Sequence, residues 1–348
     1  MKQITALGLY SGGLDSLLAC RVLSSLSIRV IAIKFITPFF DDHLRDSEEE
    51  YRKSVHEKYG IDVRIVDLSS RYIELLRNPQ HGYGKHFNPC IDCKIFMLRQ
   101  ARDMMSAHNA SFLFTGEVLG QRPMSQRRDT LRVIERDGGS EDILLRPLCA
   151  KRLPETRPER EGLVDREKLY GFTGRGRRQQ IELAERFGIT DYPSPAGGCT
   201  LTDPNLGTRI AKFYDGLFGE SFRDFQENDI RLLLVGRQFR LPQGAWLILG
   251  RNSSENDKIL KLAAKGDWLF KMIGRPGPTA LLRKAEQVIG GKGDENEVVQ
   301  MAAGLVSRYA RKVDGQAMAG DVKVVKGVVI ETLRAQPLED GLFVKWQL

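Results

Sequence analysis

The sequence predicts an open, mostly parallel α/β sheet with helices on both faces, followed by a separate α+β domain. Three observations carry this expectation. Short apolar runs alternate with helix-period segments between Thr5 and Gly116. Glycine-rich turns stand where strands end, at Ser11-Gly12-Gly13 and at Thr115-Gly116. The character of the chain changes near residue 225, where apolar runs separated by turns replace the regular alternation. Strands alternating with helices imply parallel pairing, and ligands in such sheets bind at the carboxyl ends of strands.

The elements follow in order. Residues 5–10 (TALGLY) form a short strand running into the Ser-Gly-Gly turn, after which Leu14, Leu17, Leu18 and Val22 recur at helical spacing. Val30–Ile36 is apolar and β-branched and reads as a buried strand. An acidic helix over 45–59 stops at Gly60, Val63–Val66 is a third strand, a helix covers Cys93 to His108, and Ser111–Thr115 is a fourth strand. A loose, charged stretch over 137–178 precedes a helix at 177–187. Pro193–Cys199 is a rigid, turn-rich loop. Beyond it, Leu232–Val235 and Trp246–Leu249 are expected as strands, with helices near 255–264, 279–287 and 294–310. Strands at Val322–Val325, Val328–Ile330 and Leu342–Val344 close the chain. The expected domains are 1–185, a cysteine-bearing linker 186–228, and 229–348.

Composition narrows the function classes. The chain has 348 residues, 41% of them hydrophobic, with no apolar run of membrane-spanning length and no secretory pattern at its start. A cytoplasmic protein with no membrane partner is expected. The formal net charge is +8, which favours a polyanion partner. Ten basic against five acidic residues between Arg146 and Arg178, and the cluster Arg122, Arg127, Arg128, Arg132 and Arg136, concentrate that charge.

Ser11-Gly12-Gly13-Leu14-Asp15-Ser16 joins the first strand to the first helix. Glycines let the backbone turn tightly against a ligand, and a helix start offers unpaired N–H donors to phosphate. Ser11 and Ser16 add hydroxyls. Asp15 repels phosphate, so Mg²⁺ binding or loop geometry suits it. This SGGLDS run resembles the signature of the PP-loop ATP pyrophosphatases, an adenine nucleotide α-hydrolase-like fold whose members cleave ATP between the α and β phosphates and adenylate a carbonyl oxygen. The resemblance implies that Ser11, Gly12, Gly13, Asp15 and Ser16 hold the pyrophosphate of ATP with Mg²⁺, and that the end of the second strand, at Lys34 and Phe35, faces the adenine.

Thr115-Gly116-Glu117-Val118-Leu119-Gly120-Gln121, then Ser125-Gln126, resemble the TGE-LGQ-SQ motif of tRNA 4-thiouridine synthetases, and Arg146-Pro147-Leu148 resembles their RPL segment. Gly116 and Gly120 permit a strand-end loop to approach a nucleotide, and the amides of Gln121 and Gln126 suit an adenylate or a base. Those synthetases carry a THUMP region ahead of the ATP motif. Here the motif begins at residue 11, so RNA contacts are expected from elsewhere in the chain.

Of the five cysteines, Cys90 and Cys93 form a C-x-x-C pair at an expected helix start, a position that favours thiolate. Such a pair serves as a redox dithiol, as half of a zinc site, or in an iron–sulfur site. No second C-x-x-C is present, and among the histidines His81 and His86 are the candidate extra ligands. Cys199 is a third thiol, framed by Gly197 and Gly198. The pattern is similar to that of tRNA thiolases that hold a 4Fe-4S cluster on three cysteines, which implies catalytic and metal-binding roles for Cys90, Cys93 and Cys199. The other reading of the thiols is a persulfide relay. Cys20 and Cys149 read as buried apolar residues.

Gly250-Arg251-Asn252 with Asn256-Asp257 resembles the GRN-x-x-x-ND motif of NFACT-R domains, which are associated with ribosomal RNA and tRNA, and the likeness covers about 230–325. Arg251, Asn252, Lys258, Lys261, Lys271 and Arg275 are expected at phosphates. Trp268 suits either base stacking or core, and Asn252 either phosphate or a turn cap. Together the resemblances imply an ATP-dependent tRNA sulfurtransferase making 4-thiouridine, with sulfide or a persulfide carrier as sulfur donor and a homodimer as a candidate assembly. The alternatives are a 2-thiouridine or 2-thiocytidine synthase using a persulfide, a PP-loop enzyme acting on a small molecule, and a non-catalytic RNA- or ribosome-binding factor.

Overall fold

The structure, a computed structural model, describes residues 3–193 and 199–348. The chain divides into two compact units, Met1–Pro204 and Asn205–Leu348.

The first unit is built on a five-stranded, all-parallel sheet in the order β3-β2-β1-β4-β5. Its elements are β1 (Thr5–Leu9), α1 (Leu14–Ser25), β2 (Arg29–Ile36), α2 (Glu48–Tyr59), β3 (Asp62–Asp67), α3 (Ser69–Arg77), α4 (Cys90–Met104), β4 (Phe112–Thr115), α5 (Arg128–Asp137), β5 (Leu144–Leu145), α6 (Arg157–Arg160) and α7 (Arg178–Arg186). Strand residues alternate between two apolar layers. Ala6, Val30, Ala32, Phe112 and Phe114 pack with Leu17, Leu18 and Val22 of α1 and Leu183 and Ala184 of α7. Leu7, Ile31, Ile33, Phe35 and Leu113 pack with Ile95 and Leu98 of α4 and Ile134 of α5. The acidic helix α2 ends at Gly60, which takes the left-handed conformation at φ 65°.

The chain winds outward from β1 through β2 to β3, then returns to place β4 on the other side of β1. Leu9 and Thr115 are register partners. The carboxyl ends of β1 and β4 therefore flank the point where strand order reverses, the usual crevice for a ligand in an open α/β sheet.

The second unit contains α8 (Pro204–Tyr214), α9 (Glu227–Leu233), β6 (Arg237–Arg240), β7 (Trp246–Leu249), α10 (Ser253–Leu262), β8 (Trp268–Met272), β9 (Thr279–Arg283), α11 (Ala285–Val288), α12 (Glu295–Tyr309), β10 (Gly320–Lys326), β11 (Val329–Ala335) and α13 (Asp340–Phe343). Six antiparallel strands run in the order β11-β10-β8-β9-β7-β6. Helix α12 packs on β8, β9, β10 and β11 through a buried face that includes Val298, Ala302, Leu305 and Val306.

Three expectations for this unit are corrected. Leu232 and Leu233, read as strand, end helix α9, which is started by a reciprocal cap between Gln226 and Asp229. A short apolar run does not distinguish strand from buried helix, and the cap decides it here. Thr279–Arg283, read as helix, is strand β9, paired on both sides with β7 and β8 and buried at every position. Pairing on two edges overrides the helical preference of Ala280-Leu281-Leu282. Leu342 and Phe343, read as strand, lie in helix α13.

Candidate active site

The Ser11–Ser16 loop leaves the carboxyl end of β1 and becomes the first turn of α1. Its backbone is braced from within. Ser16 Oγ donates to the Gly13 carbonyl at 2.8 Å, the Gly13 N–H donates to Ser11 Oγ at 3.3 Å, and the two serine hydroxyls stand 3.2 Å apart. No side chain caps the start of α1. The first N–H groups of the helix are thus left for a ligand, and the positive end of the helix dipole favours phosphate there. Gly12 takes φ 84°, a left-handed conformation that suits glycine.

Beneath the loop lies Lys34 of β2, a residue the sequence placed near adenine. Its buried ammonium donates to the Ser11 carbonyl at 2.9 Å and to Asp41 Oδ2 at 2.7 Å, and it sits 5.5 Å from the centre of the Tyr51 ring. Lys34 thus fixes the underside of the loop. Phe35, one residue on, points to the opposite face of the sheet, because strand side chains alternate. It packs in the apolar layer with Leu7 and Ile33, so Phe35 is a core residue.

The TGE-LGQ segment closes over the same loop. Gly116 lies so near that a Cβ there would stand 2.5 Å from the Asp15 carbonyl carbon and oxygen and from the Ser16 nitrogen. Gln121 Nε2 donates to Asp15 Oδ2 at 2.6 Å, and Gln121 Oε1 accepts from Gln180 Nε2 at 2.9 Å. Asp15 Oδ1 is buried and has no hydrogen-bond partner among the described residues. Arg177 Nη2 stands 3.9 Å from Asp15 Oδ2. The chain around Arg177 is pinned to the same segment: Thr173 bridges to Leu119, and the Gly174 N–H donates to the Leu119 carbonyl at 2.9 Å. Arg177, Gln180, Tyr51 and Asp41 were not singled out from the sequence. The glycine-arginine run Gly174–Arg178 was the one available signal, and it read only as part of a charged stretch.

Glu117 connects this crevice to the cysteines. Its buried carboxylate accepts from Thr115 Oγ1 and from Arg146 Nε, each at 3.1 Å, and Lys94 Nζ lies 3.5 Å from its other oxygen. Burial alone would raise the Glu117 pKa. The Lys94 and Arg146 charges outweigh it and hold the carboxyl below its ordinary value. Arg146 also bonds Glu135, so the RPL segment serves as a buried brace for the TGE loop. Gln126 lies under the loop as well, its N–H donating to the Arg122 carbonyl at 3.1 Å and its carbonyl accepting from the Gly120 N–H at 2.7 Å.

Cys90 opens α4 and Cys93 follows one turn later, with Lys94 beside it. Cys199 lies on a separate segment. That segment is tied down by Thr200 Oγ1, which donates to the Phe39 carbonyl at 2.7 Å. The Phe39 ring packs 5.8 Å from Tyr72, and Tyr72 stands against Cys93. Residues 194–198, with the Gly197-Gly198 frame expected beside Cys199, lie outside the described residues.

Burial pushes the Cys93 thiol up to about 12, with the charge of Cys199 adding to it. Burial likewise pushes Cys199 up to about 11, with Cys90 adding. The expectation of a lowered thiol pKa at the helix start is therefore corrected for Cys93, where desolvation outweighs the helix dipole. Cys20 and Cys149 are fully buried, and Cys149 Sγ donates to the Glu117 carbonyl at 3.2 Å. The His81 ring is engaged by Asp137 at 3.0 Å.

The donor chemistry bears on which group the thiols suit. Among the described residues no three Cys, His, Asp or Glu side chains converge to hold a single metal ion. Cys90, Cys93 and Cys199 nevertheless lie within electrostatic reach of one another. Cysteine thiolates are ligands both of zinc and of iron–sulfur clusters.

In the second unit Asn252 and Asn256 serve the fold. Asn252 caps α10, its side chain accepting from the Glu255 N–H at 3.0 Å. Asn256 Oδ1 accepts from the Thr279 N–H at 2.9 Å and holds the start of β9. Arg251 pairs with Glu255, and Arg275 donates to the carbonyls of Met318 and Ala319. Trp268 is 3% exposed, which places it in the core rather than on a stacking surface. Lys258, Lys261 and Lys271 are exposed.

Residues 1–152 match the profile of the family described as thiamine biosynthesis protein (ThiI), and residues 236–347 match the NFACT protein RNA binding domain. Among solved structures the chain is similar to a 4-thiouridine synthetase crystallised with RNA and bound ATP, at 20% identity and a TM-score of 0.38, over 60% of this chain and 50% of that one. It therefore spans half the length of that synthetase chain. It is also similar to a predicted subunit of tRNA methyltransferase from Methanocaldococcus jannaschii, at 16% identity and a TM-score of 0.37, over 61% of this chain and 88% of that one. No curated protein matches the sequence. No described helix is long and apolar enough to cross a membrane.

Proposed function

We propose that this chain, with a ThiI-type PP-loop domain at its N-terminus and an NFACT-type domain at its C-terminus, is an ATP-dependent tRNA sulfurtransferase that makes 4-thiouridine. The single observation that carries the reading is the closure of the TGE-LGQ segment onto the SGGLDS loop at the strand-order reversal, through Gly116 and the Gln121–Asp15 bond.

The triphosphate of ATP binds at the start of α1, held by the free N–H groups and by Ser11 and Ser16. Asp15 Oδ1, buried and unpartnered among the described residues, suits Mg²⁺, and Mg²⁺ there would offset the phosphate charge that develops in the reaction. Gln121 keeps the other oxygen of Asp15 fixed. Arg177 stands where it can share the charge of the departing pyrophosphate. The uridine C4 oxygen attacks the α-phosphorus, the α–β phosphoanhydride bond breaks, and pyrophosphate leaves. Sulfide then attacks C4 of the adenylated base, and AMP departs with the former carbonyl oxygen.

Cys90, Cys93 and Cys199 would hold a 4Fe-4S cluster, and three protein ligands leave one iron position open to sulfide. Lys94 and Glu117 fix α4 relative to the TGE loop, so the thiols and the adenylation crevice stay in register. Sulfide itself or a persulfide carrier supplies the sulfur.

Product analysis tests the proposal. With tRNA present, the protein should convert ATP to AMP and pyrophosphate. ADP and orthophosphate as products, or AMP formation that ignores tRNA, would contradict it.

A further inference from the structure

We propose that RNA is held on the open face of β8, β10 and β11, with its phosphates on the paired ammonium groups of Lys271 and Lys323. The inference rests on reading the C-terminal unit as an RNA-binding module, and from the cations expected at phosphates it selects Lys271 and adds Lys323.

The two lysines are direct register partners on antiparallel strands, so their side chains rise from the same face and stand side by side. Both are exposed. Among the described residues no carboxylate pairs with either, although Asp321, two residues from Lys323, pairs with Arg334 at 3.3 Å. Like charges placed directly opposite across a strand pair are destabilising. A fold that keeps two of them unpaired forgoes stability unless an anion joins them.

Strand alternation shows which face is open. Trp268, Phe270 and Met272 of β8 and Val322 and Val324 of β10 are buried, on the side where α12 packs. Leu269 and Lys271, then Asp321, Lys323 and Val325, point the other way and are partly or fully exposed. The lysine row continues to Thr332 of β11, which is opposite Lys323. The adjacent row is Leu269, Val325 and Ile330, and Ile330 is 61% exposed. The surface thus offers a cationic row beside an apolar one. That combination fits a phosphate backbone whose unpaired bases turn toward the sheet.

The occupant is a polyanion by charge complementarity. Arg251 is engaged by Glu255 and Arg275 by backbone carbonyls, whereas Lys271 and Lys323 have no carboxylate partner among the described residues.

The test is tRNA binding measured across a salt series for the full chain, for the double variant Lys271→Gln with Lys323→Gln, for the arginine pair at the same positions, and for Lys53→Gln. Lys53 lies on α2, 3.9 Å from Glu57. The glutamine pair should weaken binding and flatten the dependence of log affinity on log salt by about 2. The arginine pair should restore both, and Lys53→Gln should change neither. Because a repulsion is removed, the glutamine pair should unfold no earlier than the parent. Unchanged affinity and salt slope in the glutamine pair would overturn the proposal, and so would a lowered unfolding midpoint, which would give the lysines to the fold. A parent chain that binds no tRNA would instead overturn the RNA-binding reading itself.

Discussion

Gln121 donates to the Asp15 carboxylate at 2.6 Å although 106 residues separate them. This bond joins the two glycine-containing loops that leave adjacent strands β1 and β4. It also leaves one oxygen of Asp15 fixed and the other free among the described residues. Replacing Gln121 with Leu keeps the bulk and removes a donor to Asp15 and an acceptor for Gln180. The expected loss is about 1–3 kcal/mol in stability, with a larger fall in pyrophosphate formation than in ATP binding. Steady-state kinetics beside a denaturation curve checks this, and unchanged kinetics would remove Gln121 from the site.

Gly116→Ala puts a methyl group 2.5 Å from the backbone of Asp15 and Ser16. Backbone atoms cannot turn aside as a flexible side chain can, so one loop must shift. A displacement of that kind costs on the order of 100-fold in rate. The expected result is a folded protein with little ATP binding by calorimetry. Normal binding would mean that the crevice does not use this contact.

Lys34→Met removes the donor to the Ser11 carbonyl and leaves Asp41 without its partner. Asp41 is one-third exposed, so water recovers part of the loss, and a cost of about 1–3 kcal/mol is expected. The KM for ATP should rise together with a drop in the unfolding midpoint. A lower midpoint with an unchanged KM would confine Lys34 to stability.

The thiols give a pH prediction. Burial holds Cys93 near 12 and Cys199 near 11, whereas an unfolded thiol titrates at about 8.5. The folded state therefore keeps these protons when the unfolded state has lost them. The thiols' contribution to stability is intact below about 8.5 and declines as pH rises toward 11 and 12. Alkylation of Cys93 in protein without a cluster should be slow at pH 8 and should accelerate steadily with pH. A plateau near pH 8 would contradict the burial argument. Anaerobic protein should carry about four irons per chain, lost in Cys90→Ala, Cys93→Ala and Cys199→Ala alike. Iron-free protein after reconstitution would turn the sulfur chemistry to a persulfide.

Asn256→Ala leaves the Thr279 N–H, at the start of a buried strand, without its acceptor. The expected cost is about 1–3 kcal/mol, with tRNA affinity of the folded protein unchanged. Weakened affinity at full folding would return the GRN-ND motif to the RNA surface.

The parallel sheet was legible because its strands are apolar runs set off by glycine turns. The loop Ser11–Ser16 and the segment Thr115–Gln121 were legible as strand-end loops because glycines follow both apolar runs. That Gln121 meets Asp15 was not, since nothing in a linear pattern pairs residues so far apart. Which way Phe35 points was not legible, because an aromatic at a strand end looks the same on either face, and only the register of β2 shows that Lys34 and not Phe35 points toward the loop. Arg177 was hidden inside a basic stretch where nothing sets it apart from its exposed neighbours Arg175 and Arg178. In the second unit, Ala280-Leu281-Leu282 misled because helix preference is weak against pairing with two strands. Asn252 read equally as a phosphate contact or a turn cap because capping and ligand binding call on the same polar side chains.

The most direct measurement is mass spectrometry of nucleosides from tRNA incubated anaerobically with the protein, ATP, Mg²⁺ and sulfide, beside an Asp15→Ala control. The expected result is 4-thiouridine formed one for one with AMP, and none in the control. Unmodified tRNA in the presence of ATP turnover, or thiolation that proceeds without ATP, would contradict it.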